Sequence, residues 1–255
     1  MKRKAEQVIS QVVERVSEWD AVDTVTVLES GEDYFDPYFF FSLDLYCRGD
    51  VPAREVRGAA FEDAFAFESL TAGRKDRFVL NDIPIRLEYK DIDRFDSIIE
   101  AAVTDGAQPA CDSGTFMFYR LTHARVLKQR SDWLDDVKKR VEHLSESFWE
   151  GVRHAAQARM EHFLSDLYAA VVREDDLFFL VSSAGFIKSL CSVLFAINRR
   201  FEPSSRLLAE QVTALPVLPE PFAGRFESFL RAEGGLSPDK RYEVGELMAR
   251  SVLAL

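Results

Sequence analysis

Cysteine is scarce in this chain, and its three copies are badly placed for covalent or metal-based architecture. Cys47, Cys111 and Cys191 are odd in number, far apart and in no CxxC arrangement. This excludes a disulfide framework or a zinc knuckle as the organising principle and leaves buried free thiols in a reducing cytoplasm as the expectation. The histidines His123, His143, His154 and His162 form neither HExxH nor an i, i+4 pair, so no zinc ligation is expected. GxSxG, P-loop and GxGxxG are all missing, which removes the usual serine-hydrolase, ATPase and dinucleotide signatures. Basic charge is also short. A formal net charge of −11 and a pI near 5 argue against a long nucleic acid as partner, although a local basic pocket is compatible with them. Residues 2–4 are basic, but no apolar signal core follows them. The one segment apolar enough to suggest a membrane, Leu177 to Ile197, is interrupted by Lys188, Gly185 and several serines, so a helix buried in a bundle is expected.

What is present describes an ordinary globular chain of 255 residues, 47% hydrophobic and 29% charged. Val8, Ile9, Val12, Val13 and Val16 form one helical stripe. Ala21 to Leu28 alternates like a strand, Gly31 to Pro37 is a turn, and Tyr38 to Cys47 suits a central strand. Pro52 precedes a helix over Ala53 to Asp63. Lys75 to Lys90 reads as two strands around an Asn81-Asp82 turn, with Pro84 at a strand start or edge. Asp91 to Val103 is helical in spacing, and Gly106 to Pro109 breaks it.

These signals predict an α+β protein: a small mixed-sheet domain over residues 1–110 and an all-helical bundle over residues 111–255. In the second part Phe116 to Leu127 is read as helix. Trp133 to Val172 is a helical stretch split or kinked near Glu150-Gly151, and Leu177 to Asn198 and Ser205 to Ala214 follow. Met160, Phe163, Leu164, Leu167, Tyr168, Val171 and Val172 make an amphipathic face.

The candidate chemistry lies in two carboxylates predicted on neighbouring strands, Asp44 in Phe41-Ser42-Leu43-Asp44-Leu45 and Glu88 in Ile85-Arg86-Leu87-Glu88-Tyr89. Mg²⁺ takes hard oxygen ligands, and carboxylates from adjacent strands can hold it beside a triphosphate. The plain alternative is that they pair with Arg86, Lys90 or Arg48. Arg199, Arg200 and Arg206 are read first as caps of a helix dipole, and the aromatics of residues 34–41 as core.

In these motifs the chain resembles the nucleotidyltransferases of the polymerase β superfamily, in particular the kanamycin nucleotidyltransferase-like members that join a minimal catalytic domain to a helical bundle. Ser30 stands where that family has its Gly-Ser, with Glu29 replacing the Gly. Ser42-Leu43-Asp44-Leu45 matches Asp-x-Asp-Leu with Ser42 replacing the first Asp, and Glu88 matches the third carboxylate. Leu194 to Pro203, followed by Leu215-Pro216, resembles a bundle segment of uncharacterised bacterial nucleotidyltransferase-like proteins. The resemblance implies Mg²⁺ held by Asp44 and Glu88, and nucleotide contacts from Ser30, Arg86, Lys90 and Arg199. It also implies transfer of a nucleoside monophosphate from a nucleoside triphosphate to a small-molecule hydroxyl. The lost Asp and Gly favour a second expectation, a catalytically inactive binding or regulatory protein of the same fold. A third is a helical interaction protein with the α/β part as scaffold.

Overall fold

The computed structural model describes residues 2–28, 41–70, 73–107, 114–231 and 236–255. Their chain contacts separate two compact units, Met1–Glu100 with Arg120–His143, and Ala101–Tyr119 with Leu144–Leu255.

The first unit is built on a six-stranded sheet. In chain order it contains α1 (Lys2–Val16), β1 (Val22–Val27), β2 (Phe41–Cys47), α2 (Arg54–Ala60), β3 (Phe65–Leu70), β4 (Lys75–Leu80), β5 (Ile83–Asp91), the start of α3 (Ile92–Asp105), the end of α4 (Phe116–His123), β6 (Arg125–Gln129) and α5 (Trp133–Val141). The strand order is β3-β4-β5-β2-β1-β6, and among the described residues β2 and β5 are the one parallel pair. Alternation sorts the central strands into two faces. Phe41, Leu43, Leu45, Ile85, Leu87, Phe78 and Leu80 join the α1 stripe of Ala5, Val8, Ile9, Val12 and Val16 in one core. The α1 spacing i, i+3, i+4, i+7 gives the helix a single apolar side, and the sheet supplies the matching apolar surface.

Asn81 and Asp82 both take positive φ, 50° and 62°, and close the β4–β5 hairpin with Leu80 opposite Ile83. A two-residue turn with this conformation matches the twist of the strands it joins. Pro84 is the second residue of β5 and precedes the described pairing with β2, which begins at Ile85, so its missing N–H costs no bond there.

Two strands depart from the sequence-based expectation. Phe116–Leu127 is not one helix: it stops at His123, and Arg125–Gln129 becomes β6, pairing with β1. β3, an edge strand, was not expected. The long helical stretch also breaks elsewhere. α5 ends at Val141 and α6 (Glu146–Arg173) runs through Gly151 without interruption, its start capped by the Ser145 hydroxyl accepting from Phe148 N at 3.3 Å. A lone mid-helix glycine costs only about 1 kcal/mol, and the buried Val152, Ala156 and Met160 that follow outweigh it.

The second unit is helical: α6, α7 (Asp176–Ile197), α8 (Leu208–Thr213), α9 (Phe222–Leu230) and α10 (Pro238–Leu253), with the remainder of α3 and α4. α6 and α7 form an antiparallel hairpin whose turn is Glu174 in the left-handed region and Asp175 capping Phe178 N at 2.9 Å. At Gly185 a Cβ would lie 2.5 Å from the Phe163 ring, so only glycine lets the two helices approach this closely. α7 is long and apolar enough by composition to cross a membrane, yet Phe186, Leu190 and Leu194 are fully buried among side chains of α6, α9 and α10, the position of a bundle's core helix. Of the amphipathic face expected on α6, Met160 and Leu167 are buried, whereas Tyr168 and Val172 are exposed. Cys47 and Cys191 are buried free thiols, burial pushing each up to about 12; Cys111 lies outside the described residues.

Glu202 is buried in this unit. It accepts from the Ser192 hydroxyl at 3.0 Å and donates its N–H to the Thr115 hydroxyl at 2.8 Å. Burial raises its carboxyl pKa, against the Ser192 bond and the charges of Lys188 and Arg159. A carboxyl raised on folding contributes stability that is full below its unfolded pKa and lost as pH rises through the folded value. Thermal melts of Glu202→Gln against the parent are therefore expected to show the variant gaining relative stability as pH rises from 4 to 8. A pH-independent difference would contradict this.

Candidate functional site

The second face of the sheet is as polar as the first is apolar. Asp44 on β2 and Glu88 on β5 are direct partners in the parallel register, and Lys75 on β4 is opposite Glu88. The neighbouring row holds Ser42, Arg86 and Arg77 on the same three strands. The expectation that Asp44 and Glu88 project from neighbouring strands matches the geometry, and the register places them on one face.

The carboxylates meet cations. Asp44 is 1% exposed, and its Oδ2 accepts from Arg120 Nε at 2.7 Å, while Lys90 Nζ lies 3.7 Å from Oδ1. Glu88 is bracketed by Lys90 at 3.0 Å, Lys75 at 3.3 Å and Arg86 at 3.4 Å. The plain alternative named for these residues is thus realised for Arg86 and Lys90; Arg48 instead lies 3.6 Å from Asp23. Ser42, where the family pattern would place an acid, accepts from Arg86 Nε at 3.3 Å and Arg120 Nη2 at 3.5 Å.

The charges perturb one another. Burial works to raise the Glu88 pKa, but Lys90, Arg120 and Lys75 outweigh it and hold the carboxyl down to about 2. Burial likewise opposes the Arg120 charge, and Asp44 and Glu88 win, raising its pKa. Arg86 goes the other way: burial lowers its pKa, and Arg120 and Arg77 reinforce this against the pull of Glu88. Tyr46, on the Asp44 face, packs edge-on against Phe95 of α3 and tilted against Trp133 of α5, at ring separations of 5.5 and 5.0 Å. Burial first, then the Asp44 charge, keeps its phenol protonated well above the ordinary range.

Of the other sequence-based candidates, Ser30 lies outside the described residues, as does Glu29. Arg199 belongs to the second unit. It stands in the left-handed region after α7, where Arg199 N and Arg200 N bond Ala196 O and Phe195 O, a helix-ending arrangement, and its guanidinium pairs with Glu146. Sequence reasoning missed Arg120, the nearest partner of Asp44. A signal was available: one arginine inside Phe116-Met117-Phe118-Tyr119-Arg120-Leu121 is a cation in an apolar helix, which requires a buried acid nearby.

Among the described residues this donor set is paired with side-chain cations. Among the described residues no group of three or more His, Cys, Asp or Glu side chains converges. On this face two carboxylates are matched against Lys75, Arg77, Arg86, Lys90 and Arg120. A divalent cation would have to displace charges already paired at hydrogen-bond distance.

No family model and no curated protein matches the sequence. Among solved structures, the chain is similar to a nucleotidyltransferase-like protein from Exiguobacterium sibiricum 255-15, with a TM-score of 0.50 and 12% identity, covering 98% of this chain and 74% of that one. At that identity the likeness establishes a nucleotidyltransferase-like fold, mixed sheet with helical part, and nothing finer.

The Glu88 arrangement has a pH signature. A carboxyl depressed on folding contributes stability above its unfolded value, near 4.5, and loses it as pH falls towards about 2. Glu88→Gln is expected to be less stable than the parent at pH 6, with the difference shrinking as pH is lowered through that window. Parallel denaturant curves check this, and a constant difference would contradict it.

Proposed function

We propose that this chain keeps a nucleotidyltransferase-like fold without the family's metal chemistry and works in the cytoplasm as a binding or regulatory protein. The reading rests on one observation above all, the 2.7 Å bond between Arg120 and the buried Asp44. A carboxylate that is to hold a divalent cation must offer its charge and lone pairs to it, and here a guanidinium already neutralises it and occupies Oδ2. The serine at position 42 removes a second negative ligand. The division proposed from sequence, a nucleotidyltransferase-like part over residues 1–110 and a helical bundle over residues 111–255, leaves Arg120 across its boundary from Asp44.

A second reading has its own support. Asp44 and Glu88 are cross-strand neighbours, and Asp44 Oδ1 accepts no hydrogen bond among the described residues. These features suit a Mg²⁺-dependent enzyme that transfers a nucleoside monophosphate from a nucleoside triphosphate to a small-molecule hydroxyl. Arg120 would then have to leave Asp44.

Two measurements separate the readings. Incubation with nucleoside triphosphates, Mg²⁺ and a panel of small hydroxyl acceptors is expected to release no pyrophosphate above background; release abolished by Asp44→Asn would establish the enzyme. In denaturant unfolding, Asp44→Asn is expected to cost about 3 kcal/mol, because it takes the carboxylate charge from a buried guanidinium. Combining it with Arg120→Met should restore much of that loss, whereas simple additivity would deny the pair its structural role.

A further inference from the structure

α7 is the core helix of the second unit, yet one side of its first half stands open. Leu177, Leu180, Val181, Ala184 and Lys188 follow the spacing i, i+3, i+4, i+7, i+11, which sets them in one row along the helix. The three largest apolar members are 72%, 66% and 57% exposed, and Ala184 and Lys188 are exposed as well. Farther along, the same row continues through Cys191 and Phe195, both buried in the core of this unit. The row is therefore covered in its second half and bare in its first. Leucines exposed singly are normal, but a continuous apolar row on one helix marks a face made to be covered.

The charges at the two ends of the bare stretch select what covers it. Glu174, Asp175 and Asp176, all exposed, stand at its start, and Lys188 stands at its end. The acidic turn opposes an anionic lipid surface or an acidic peptide. A second copy of α7 laid antiparallel on the first satisfies both ends at once. A two-fold axis midway between Leu177 and Lys188 brings each acidic turn beside the other copy's Lys188 and sets Val181 against the other copy's Ala184, a small residue that lets the helix axes approach. We propose that this row of α7 is the seam of a reversible homodimer of the chain. Leu177, Leu180 and Val181 each offer on the order of 100 Å² of apolar surface. With Ala184 and the Lys188 stem, two copies bury roughly 800 Å², which places the contact among small, readily reversed interfaces rather than permanent ones. The seam lies wholly on the helical unit and goes beyond the reading of the polar sheet face, on which it does not depend.

The test is analytical ultracentrifugation of the full chain from about 1 to 200 µM, the range in which an interface of this size associates. A monomer–dimer equilibrium that closes at two copies is expected. Leu180→Asp places two carboxylates at the seam and should weaken the dimer at least about tenfold, with thermal melting unchanged because the position is exposed. Leu247→Asp, at an exposed apolar position of α10, should leave the dimer intact. Asp176→Lys should weaken association, and adding Lys188→Glu should restore it, since the antiparallel register then pairs the exchanged charges. If Leu180→Asp melts below the assay temperature, Val181→Ser takes its place, and weaker association is again expected. Sedimentation with phosphatidylcholine vesicles checks the rival occupant. A chain that stays monomeric to the top concentration, an open series beyond the dimer, a dimer untouched by changes at both Leu180 and Val181, a charge exchange that restores nothing, or capture of the monomer by vesicles overturns the proposal.

Discussion

A carboxylate on an interior strand has few ways to remain charged, and the polar half of this sheet is organised by how Asp44 does so. Desolvating it costs several kcal/mol, and Arg120 compensates from α4. Once that guanidinium is fixed, Ser42 has a donor, Lys90 is shared between two acids, and Glu88 sits in a field strong enough to hold its pKa down to about 2.

The two faces of the sheet answer to different physics. The α1 side is closed by apolar area, which is non-directional and tolerant of detail. On the other side every group must meet a partner of opposite sign at short range, so single substitutions propagate. The buried trio of Arg57, Asp76 and Tyr89 shows that charge can also be fully resolved on the apolar side: Asp76 accepts from Arg57 Nε at 2.8 Å and from the Tyr89 hydroxyl at 2.6 Å, and Arg57 lies over the Tyr89 ring. There one acid meets one guanidinium.

Much of this was legible in the sequence where the determinants are local. The Asn81-Asp82 turn, the α1 stripe and the shared face of Asp44 and Glu88 follow from turn chemistry and from periods of 3.6 and 2. β6 was hidden because Arg125–Gln129 is five residues long and directly continues the apolar spacing of α4. β3 was hidden because an edge strand carries little alternation; its Phe65 is exposed. Arg120 escaped because its meaning comes from a residue 76 positions away, and no local pattern encodes such a separation. The family likeness pointed to the fold through Asp44 and Glu88, while the serine at position 42 pointed to the non-catalytic alternative.

The first unit is discontinuous in the chain, resuming at Arg120 after an excursion into the second. During synthesis the first hundred residues therefore emerge with β1 lacking its β6 neighbour, Tyr46 lacking Trp133, and Asp44 facing an environment that its guanidinium has not yet reached. A nascent chain of that length has an incomplete sheet and an unneutralised acid, so the sheet's final closure must wait for the ribosome to deliver the segment through residue 143. Order of translation thereby becomes a constraint on order of assembly.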